Sequence, residues 1–113
     1  MATQIIRTGE ASSAEIPEPV RARFDRLADR WNAETEFISS STALILNSSY
    51  QQIIGMGQAA LPLILKRLKD QGGHWFWALK HITGEDPVGA DDAGDYPKMR
   101  EAWLLWGREH HYL

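Results

Sequence analysis

Two short amphipathic segments, separated by a pair of glycines, fill residues 57–84. In both, apolar residues recur at the i, i+3, i+4, i+7 spacing that marks one face of a helix. The residues with this spacing are Leu61, Ile64, Leu65 and Leu68 in the first segment and Trp75, Ala78, Leu79 and Ile82 in the second. The pattern predicts an αα-hairpin closed by Gly84. Such a hairpin cannot bury its own apolar faces, so it must pack against further helices.

Similar patterns predict short helices on both sides of the hairpin. Pro17 and Pro19 suit the first turn of a helix that runs to about Phe37. Its predicted apolar stripe consists of Val20, Phe24, Leu27, Ala28, Trp31, Ala33 and Phe37. The serines at 39–41 and the run 47–49 are good helix caps, and they predict two short helices, over residues 43–46 and about 50–56. Asp95 is predicted to cap a last helix that ends near Gly107.

These elements predict an all-α fold, a compact bundle of about five or six short helices containing a HEAT-like αα-hairpin. We expect one helical domain over residues 17–113, since 113 residues suffice for one core. Residues 1–16 are too polar to fold alone and are predicted to form a flexible arm.

Composition excludes several classes of protein. The chain has no cysteine, which rules out disulfides and thiolate chemistry and is typical of a cytoplasmic protein. Its longest apolar run, residues 59–65, is far shorter than the ~20 residues that span a bilayer. A formal net charge of −3 argues against general affinity for nucleic acid.

No motif in the sequence indicates a reaction, a cofactor or a metal. His74 and His81 lie about two helical turns apart, roughly 10.5 Å of rise, too far to share a zinc ion directly. The acidic loop over residues 85–95 lacks the ligand pattern of a calcium-binding EF-hand. We therefore expect no catalytic residues, metal or cofactor. A small enzyme with His74 or His81 as general base is the least favoured alternative.

Several short motifs together resemble a family of small bacterial proteins, common in cyanobacteria and often encoded in two-gene loci. The motifs are GHWFWAL at residues 73–79 and ITGEDP at residues 82–87, with supporting positions between residues 24 and 113. The resemblance implies a partner protein rather than a substrate. An antitoxin-like or immunity-like partner of a protein encoded nearby is one concrete form of this function.

The candidate binding site lies on the second hairpin helix. His74, Trp77 and His81 are spaced i, i+3, i+7, on the face opposite Trp75 and Leu79. We expect this exposed aromatic patch to bind a protein partner, because tryptophan is enriched at binding hot spots. Further contact residues are expected at the open end of the hairpin: Lys80, Glu85 and Asp86. The other interpretation, which the size of the chain and its tryptophan content favour, is that the last helix or the arm covers the patch within the chain.

A second hypothesis is an accessory role in nucleic-acid binding through two basic groups. One group is Arg23, Arg26 and Arg30 on the first helix, and the other is Lys66, Arg67 and Lys69 at the end of the first hairpin helix. This function requires both groups to converge on one face. Acidic residues interleave with the arginines, which instead favours a solvated, salt-bridged face and makes nucleic acid the weaker prediction.

Overall fold

The computed structural model describes residues 16–113, which contain six α-helices and no strand. The helices are α1 (Glu18–Glu34), α2 (Ser41–Leu46), α3 (Ser48–Gly55), α4 (Leu61–Gln71), α5 (Phe76–Thr83) and α6 (Tyr96–Glu109). A 3-10 turn, Gly57–Ala60, leads into α4. The predicted all-α fold is confirmed. Of the predicted arm, only Ile16 belongs to the described residues, and it packs partly buried against the core.

Polar side chains begin three of the helices where the sequence predicts them. The Ser40 hydroxyl accepts the Ala43 N–H at 3.3 Å at the start of α2. The Asn47 side chain accepts the Ser49 N–H at 2.8 Å at the start of α3. The Asp95 carboxylate accepts the Lys98 N–H at 3.2 Å at the start of α6. Each cap pairs a donor that the first helical turn would otherwise leave without a partner.

The helix ends differ from the prediction at two places. α1 ends at Glu34: the Thr35 N–H makes the last bond of helical spacing, to the Trp31 carbonyl, which also accepts the Thr35 hydroxyl, and the Ile38 N–H then closes a tighter turn on the Thr35 carbonyl at 3.0 Å. Phe37, predicted in the α1 stripe, is 93% exposed. Gly107, predicted to end the last helix, lies inside α6 in close contact with Leu65, where a Cβ atom would meet a methyl carbon at 3.0 Å.

The hairpin glycines end both helices as predicted. Gly72 follows α4 with φ 77°, and Gly84 follows α5 with φ 72°, a left-handed conformation that other residues rarely adopt. The Gly84 N–H donates to the Lys80 carbonyl at 2.8 Å. α4 and α5 contact each other, but α4 packs chiefly on α6 and α5 on α3. The hairpin therefore buries its faces on neighbours.

One core cluster draws side chains from all six helices. At its centre, between α1, α3 and α5, lie four rings that we call the inner aromatic cluster: Phe24, Trp31, Tyr50 and Trp75. The Trp31 and Trp75 centroids lie 4.7 Å apart, and the Trp31 indole N–H donates to the Leu44 carbonyl at 2.9 Å. α2 is thereby fixed against α1. No helix in the described part of the chain is long and apolar enough to cross a membrane.

Candidate partner-binding surface

The start of α5 depends on a tyrosine from another helix. α5 has no side-chain cap of its own, since Trp75 occupies the capping position. The buried Tyr50 hydroxyl accepts the Ala78 N–H and donates to the His74 carbonyl, both at 3.0 Å. Burial raises the pKa of the Tyr50 phenol, so the hydroxyl keeps the proton that it donates. Tyr50 therefore takes the role of the missing cap.

The connection between α4 and α5 is held from α6 as well. The Tyr96 hydroxyl donates to the Gly73 carbonyl at 3.0 Å. The Arg100 guanidinium donates to the Leu68 carbonyl at 3.0 Å and to the Lys69 carbonyl at 2.6 Å, which pairs carbonyls at the end of α4. These bonds fix the backbone of the segment that carries His74.

Trp75 and Trp77 point to opposite environments. Trp75 is 2% exposed within the inner aromatic cluster, whereas Trp77 is 41% exposed. The Trp77 ring stacks on the exposed His81 ring one turn later, with centroids 4.3 Å apart and planes inclined by 27°. The two rings form a fixed aromatic and imidazole surface on α5.

His74 lies near this surface, but it does not share a helical face with Trp77 as the sequence predicts. α5 begins at Phe76, so His74 precedes the helix and does not share a helical face with Trp77. Both residues nevertheless line one open cleft of about 400 Å³ between α2 and α5. We call His74, Trp77 and His81 the Trp77 patch. The structure therefore brings the three central predicted residues to one region.

The cleft beside the Trp77 patch is lined mainly by apolar side chains, and none of its lining residues is Lys, Arg, Asp or Glu. Its lining residues are Ser41, Thr42, Leu44, Ile45, His74, Phe76 and Trp77. Sequence reasoning missed the contribution of α2. The sequence signal for this contribution is the run of three apolar residues at 44–46. Three successive residues of a helix point in different directions, so not all of these side chains can face one core, and at least one must lie at the surface.

The remaining predicted contact residues already have partners within the chain. Lys80 and Asp86 form an exposed ion pair at 3.6 Å. The Glu85 carboxylate accepts the Trp106 indole N–H at 3.1 Å. These bonds tie the segment after α5 to α6 and to α5 itself.

Two residues of the second basic group are already paired with acidic side chains. Arg67 is 14% exposed at its side chain, pairs with Asp29 at 3.0 Å and Asp25 at 3.6 Å, and lies over the Phe24 ring. It therefore joins α4 to α1. Lys66 pairs with Asp70 of its own helix at 2.9 Å.

The other basic residues are exposed: Arg23, Arg26, Arg30 and Lys69. Arg23 and Arg67 line different clefts, Arg23 with Met56 and Ala59, and Arg67 with Asp25 and Asp29. The convergence that nucleic-acid binding needs is thus missing for these two arginines.

Among residues 16–113, no group of three or more His, Asp or Glu side chains is placed to hold a metal ion. Comparison with known proteins gives no match to a family model, a curated protein or a solved structure. Evidence on function therefore comes from the residues of this chain.

Proposed function

We propose that this chain is a non-enzymatic protein-interaction module that binds another protein through the Trp77 patch. The observation that carries the proposal is the 41% exposed Trp77, stacked on His81 beside an open apolar cleft. A tryptophan held rigidly at a surface loses little conformational entropy on binding and offers a large area to desolvate. Such residues supply much of the affinity of protein interfaces.

The comparison with α6 supports an intermolecular role. Trp106 is buried because Tyr112 and His110 stack against it at 5.6 and 4.1 Å. Among the ring contacts of the described residues, Trp77 stacks on His81 alone. The last helix, one of the two predicted internal covers, packs chiefly on α4, and the other, the arm, lies outside the described residues except for Ile16.

The cleft favours a protein side chain as the contacting group. An apolar side chain from a partner can enter between α2 and α5 without displacing a charged residue. A cytoplasmic antitoxin-like or immunity-like protein, bound to the product of a neighbouring gene, is the form of this function that we propose.

Copurification from the native host tests the proposal. The tagged chain is expected to recover a second protein under mild salt, and Trp77→Ala is expected to lose it. Leu105→Ala is the matched control, since Leu105 is an apolar residue of α6 with similar exposure. Recovery of no second protein, or equal recovery with Trp77→Ala, would contradict the proposal.

Binding of the recovered protein is then measured with purified components by calorimetry. Loss of a hot-spot tryptophan typically costs about 2 kcal/mol or more, so Trp77→Ala is expected to weaken binding at least roughly thirtyfold. Leu105→Ala is expected to bind like the unsubstituted chain.

A further inference from the structure

A second cleft opens where the described part of the chain begins. It has a volume of about 370 Å³ and lies between the first two turns of α1 and the 3-10 turn that leads into α4. We call it the α1 cleft. Its lining residues are Pro19, Val20, Arg23, Met56 and Ala59. Ile16, the first described residue, lies only three positions before Pro19, so the preceding part of the chain is attached beside the cleft.

The α1 cleft leaves part of an apolar helix face uncovered. Val20 continues the helical spacing of Phe24, Leu27 and Trp31 toward the start of α1. Those three side chains are buried, whereas Val20 is half-buried and lies outside the core cluster. The apolar face of α1 therefore extends one turn beyond the part that the described residues bury. An apolar group that entered the cleft would remove this surface from water.

The chain before Ile16 holds a matching apolar pair within reach. Ile5 and Ile6 are adjacent, and no other large aliphatic pair occurs in residues 1–15. The ten residues from Ile6 to Ile16 can extend over about 35 Å at most. Val20 lies four helical residues after Ile16, a rise of about 6 Å. The pair can thus reach the α1 cleft with enough chain to reverse direction.

The charges of the two parts are complementary as well. Arg23 is the one charged residue that lines the α1 cleft, and no carboxylate of residues 16–113 forms an ion pair with it. Residues 1–15 carry two carboxylates, Glu10 and Glu15, and one cation, Arg7. Glu10 lies between the isoleucine pair and Ile16, on the stretch of chain that must pass the cleft.

We propose that the Ile5–Ile6 pair of the chain's own N-terminal segment binds in the α1 cleft, with Glu10 paired to Arg23. Tethering favours this occupant over a separate protein. A short linker holds the pair near the cleft at an effective concentration on the order of millimolar, which a free molecule would have to exceed. Residues 1–15 are too polar to fold alone, and the cleft supplies the apolar contact that they lack.

This inference goes beyond the proposed function, because it assigns an occupant to a different surface. The isoleucine pair cannot fill two clefts at once, so its binding here leaves the Trp77 patch free. The experiments below contain no partner protein. Their outcome is therefore independent of whether the Trp77 patch binds one.

Nuclear magnetic relaxation of the ¹⁵N-labelled full chain tests the proposal through the amides of Ile5 and Ile6. Their order parameters are expected to lie well above about 0.6, the upper limit of flexible backbone, and near the roughly 0.85 of rigid backbone. Values below that limit would overturn the proposal. Values that rise with protein concentration would also overturn it, because they would show binding to a second copy.

Ala59→Gln identifies the surface that holds the pair. Its longer polar side chain fills the α1 cleft, so the order parameters of Ile5 and Ile6 are expected to fall below about 0.6. Ala59 is exposed, and the change leaves the core intact. Thr42→Gln is the matched control, since Thr42 is exposed and lines the cleft beside the Trp77 patch. It is expected to change nothing.

Two results with these variants would overturn the proposal. Release of the pair by Thr42→Gln but not by Ala59→Gln would place the segment on the Trp77 patch. Unchanged order parameters in both variants would place it on neither cleft.

Charge reversal tests the ion pair. Arg23→Glu is expected to lower the order parameters of Ile5 and Ile6 partly, because the new carboxylate repels Glu10. Adding Glu10→Arg to this variant is expected to restore them, since the pair then forms with its charges exchanged. Failure of the double variant to recover would overturn the assignment of Glu10 to Arg23.

Discussion

The inner aromatic cluster and the Trp77 patch each contain one of two tryptophans that lie two positions apart on the chain, Trp75 and Trp77. The two rings differ in the contacts that hold them in place. Trp75 contacts three other rings, from α1 and α3, within the core. Trp77 stacks only on His81 of its own helix among the ring contacts. Long-range packing thus holds the first ring and a local stack holds the second. The difference predicts that substitutions in the cluster reduce stability, whereas those in the patch leave the fold intact.

Of the substitutions considered, Trp75→Ala is expected to lower the unfolding free energy most. Removing a fully buried indole leaves a cavity among Phe24, Trp31 and Tyr50, and large-to-small core substitutions of this kind cost about 3–5 kcal/mol of unfolding free energy. Urea denaturation followed by circular dichroism measures the change. A loss below about 1 kcal/mol would show that the cluster does not hold the fold together.

Tyr50→Phe is expected to cost about 1–3 kcal/mol, because it removes the partner of both the His74 carbonyl and the Ala78 N–H while keeping the ring. Hydrogen exchange should locate the effect, with faster exchange of the Ala78 amide than in the unsubstituted chain. Tyr96→Phe is the comparison variant, since its bond to Gly73 is exposed. A similar stability for Tyr50→Phe and the unsubstituted chain would contradict the assigned role.

The unfolding free energy at alkaline pH tests the role of the Tyr50 hydroxyl in a second way. Folding raises the pKa of Tyr50 above the unfolded value of about 10, so the unfolded state releases the proton first. The stabilising contribution is complete below about pH 10 and is lost as pH rises above it, by about 1.4 kcal/mol per pH unit. The difference between the unsubstituted chain and Tyr50→Phe isolates this loss. Parallel stability curves above pH 10 would contradict it.

Trp77→Ala is expected to have the smallest effect on stability, within about 0.5 kcal/mol, as for most exposed substitutions. The same urea experiment measures it. A loss near that of Trp75→Ala would mean that Trp77 stabilises the fold and is not chiefly a binding residue.

Local sequence signals predicted most of the fold. Ser40, Asn47, Asp95, Gly72 and Gly84 act within one helical turn, so their roles follow from neighbouring residues. The end of α1 was harder, because an apolar residue at the right spacing, Phe37, lies beyond the point where the Thr35 side chain bonds back to Trp31.

The site was predictable only in part. The i, i+4 relation of Trp77 and His81 follows from helix geometry, and their exposure follows from the inward position of Trp75. The cleft does not follow from the sequence, because it requires α2 to lie beside α5. The bond from Trp31 to the Leu44 carbonyl and the bonds of Tyr50 to α5 set that placement, over separations of 13 or more residues.

The bond between Tyr50 and the first turn of α5 makes the position of Trp77 depend on the folding of α3. Because α5 borrows its cap from α3, opening of α3 also releases the backbone that displays the indole of Trp77. A partner that bound this indole, as proposed above, would therefore bind folded chains in preference to partly unfolded ones. By mass action such a partner would stabilise the folded chain, and the gain in unfolding free energy would grow with the logarithm of the partner's concentration divided by its dissociation constant.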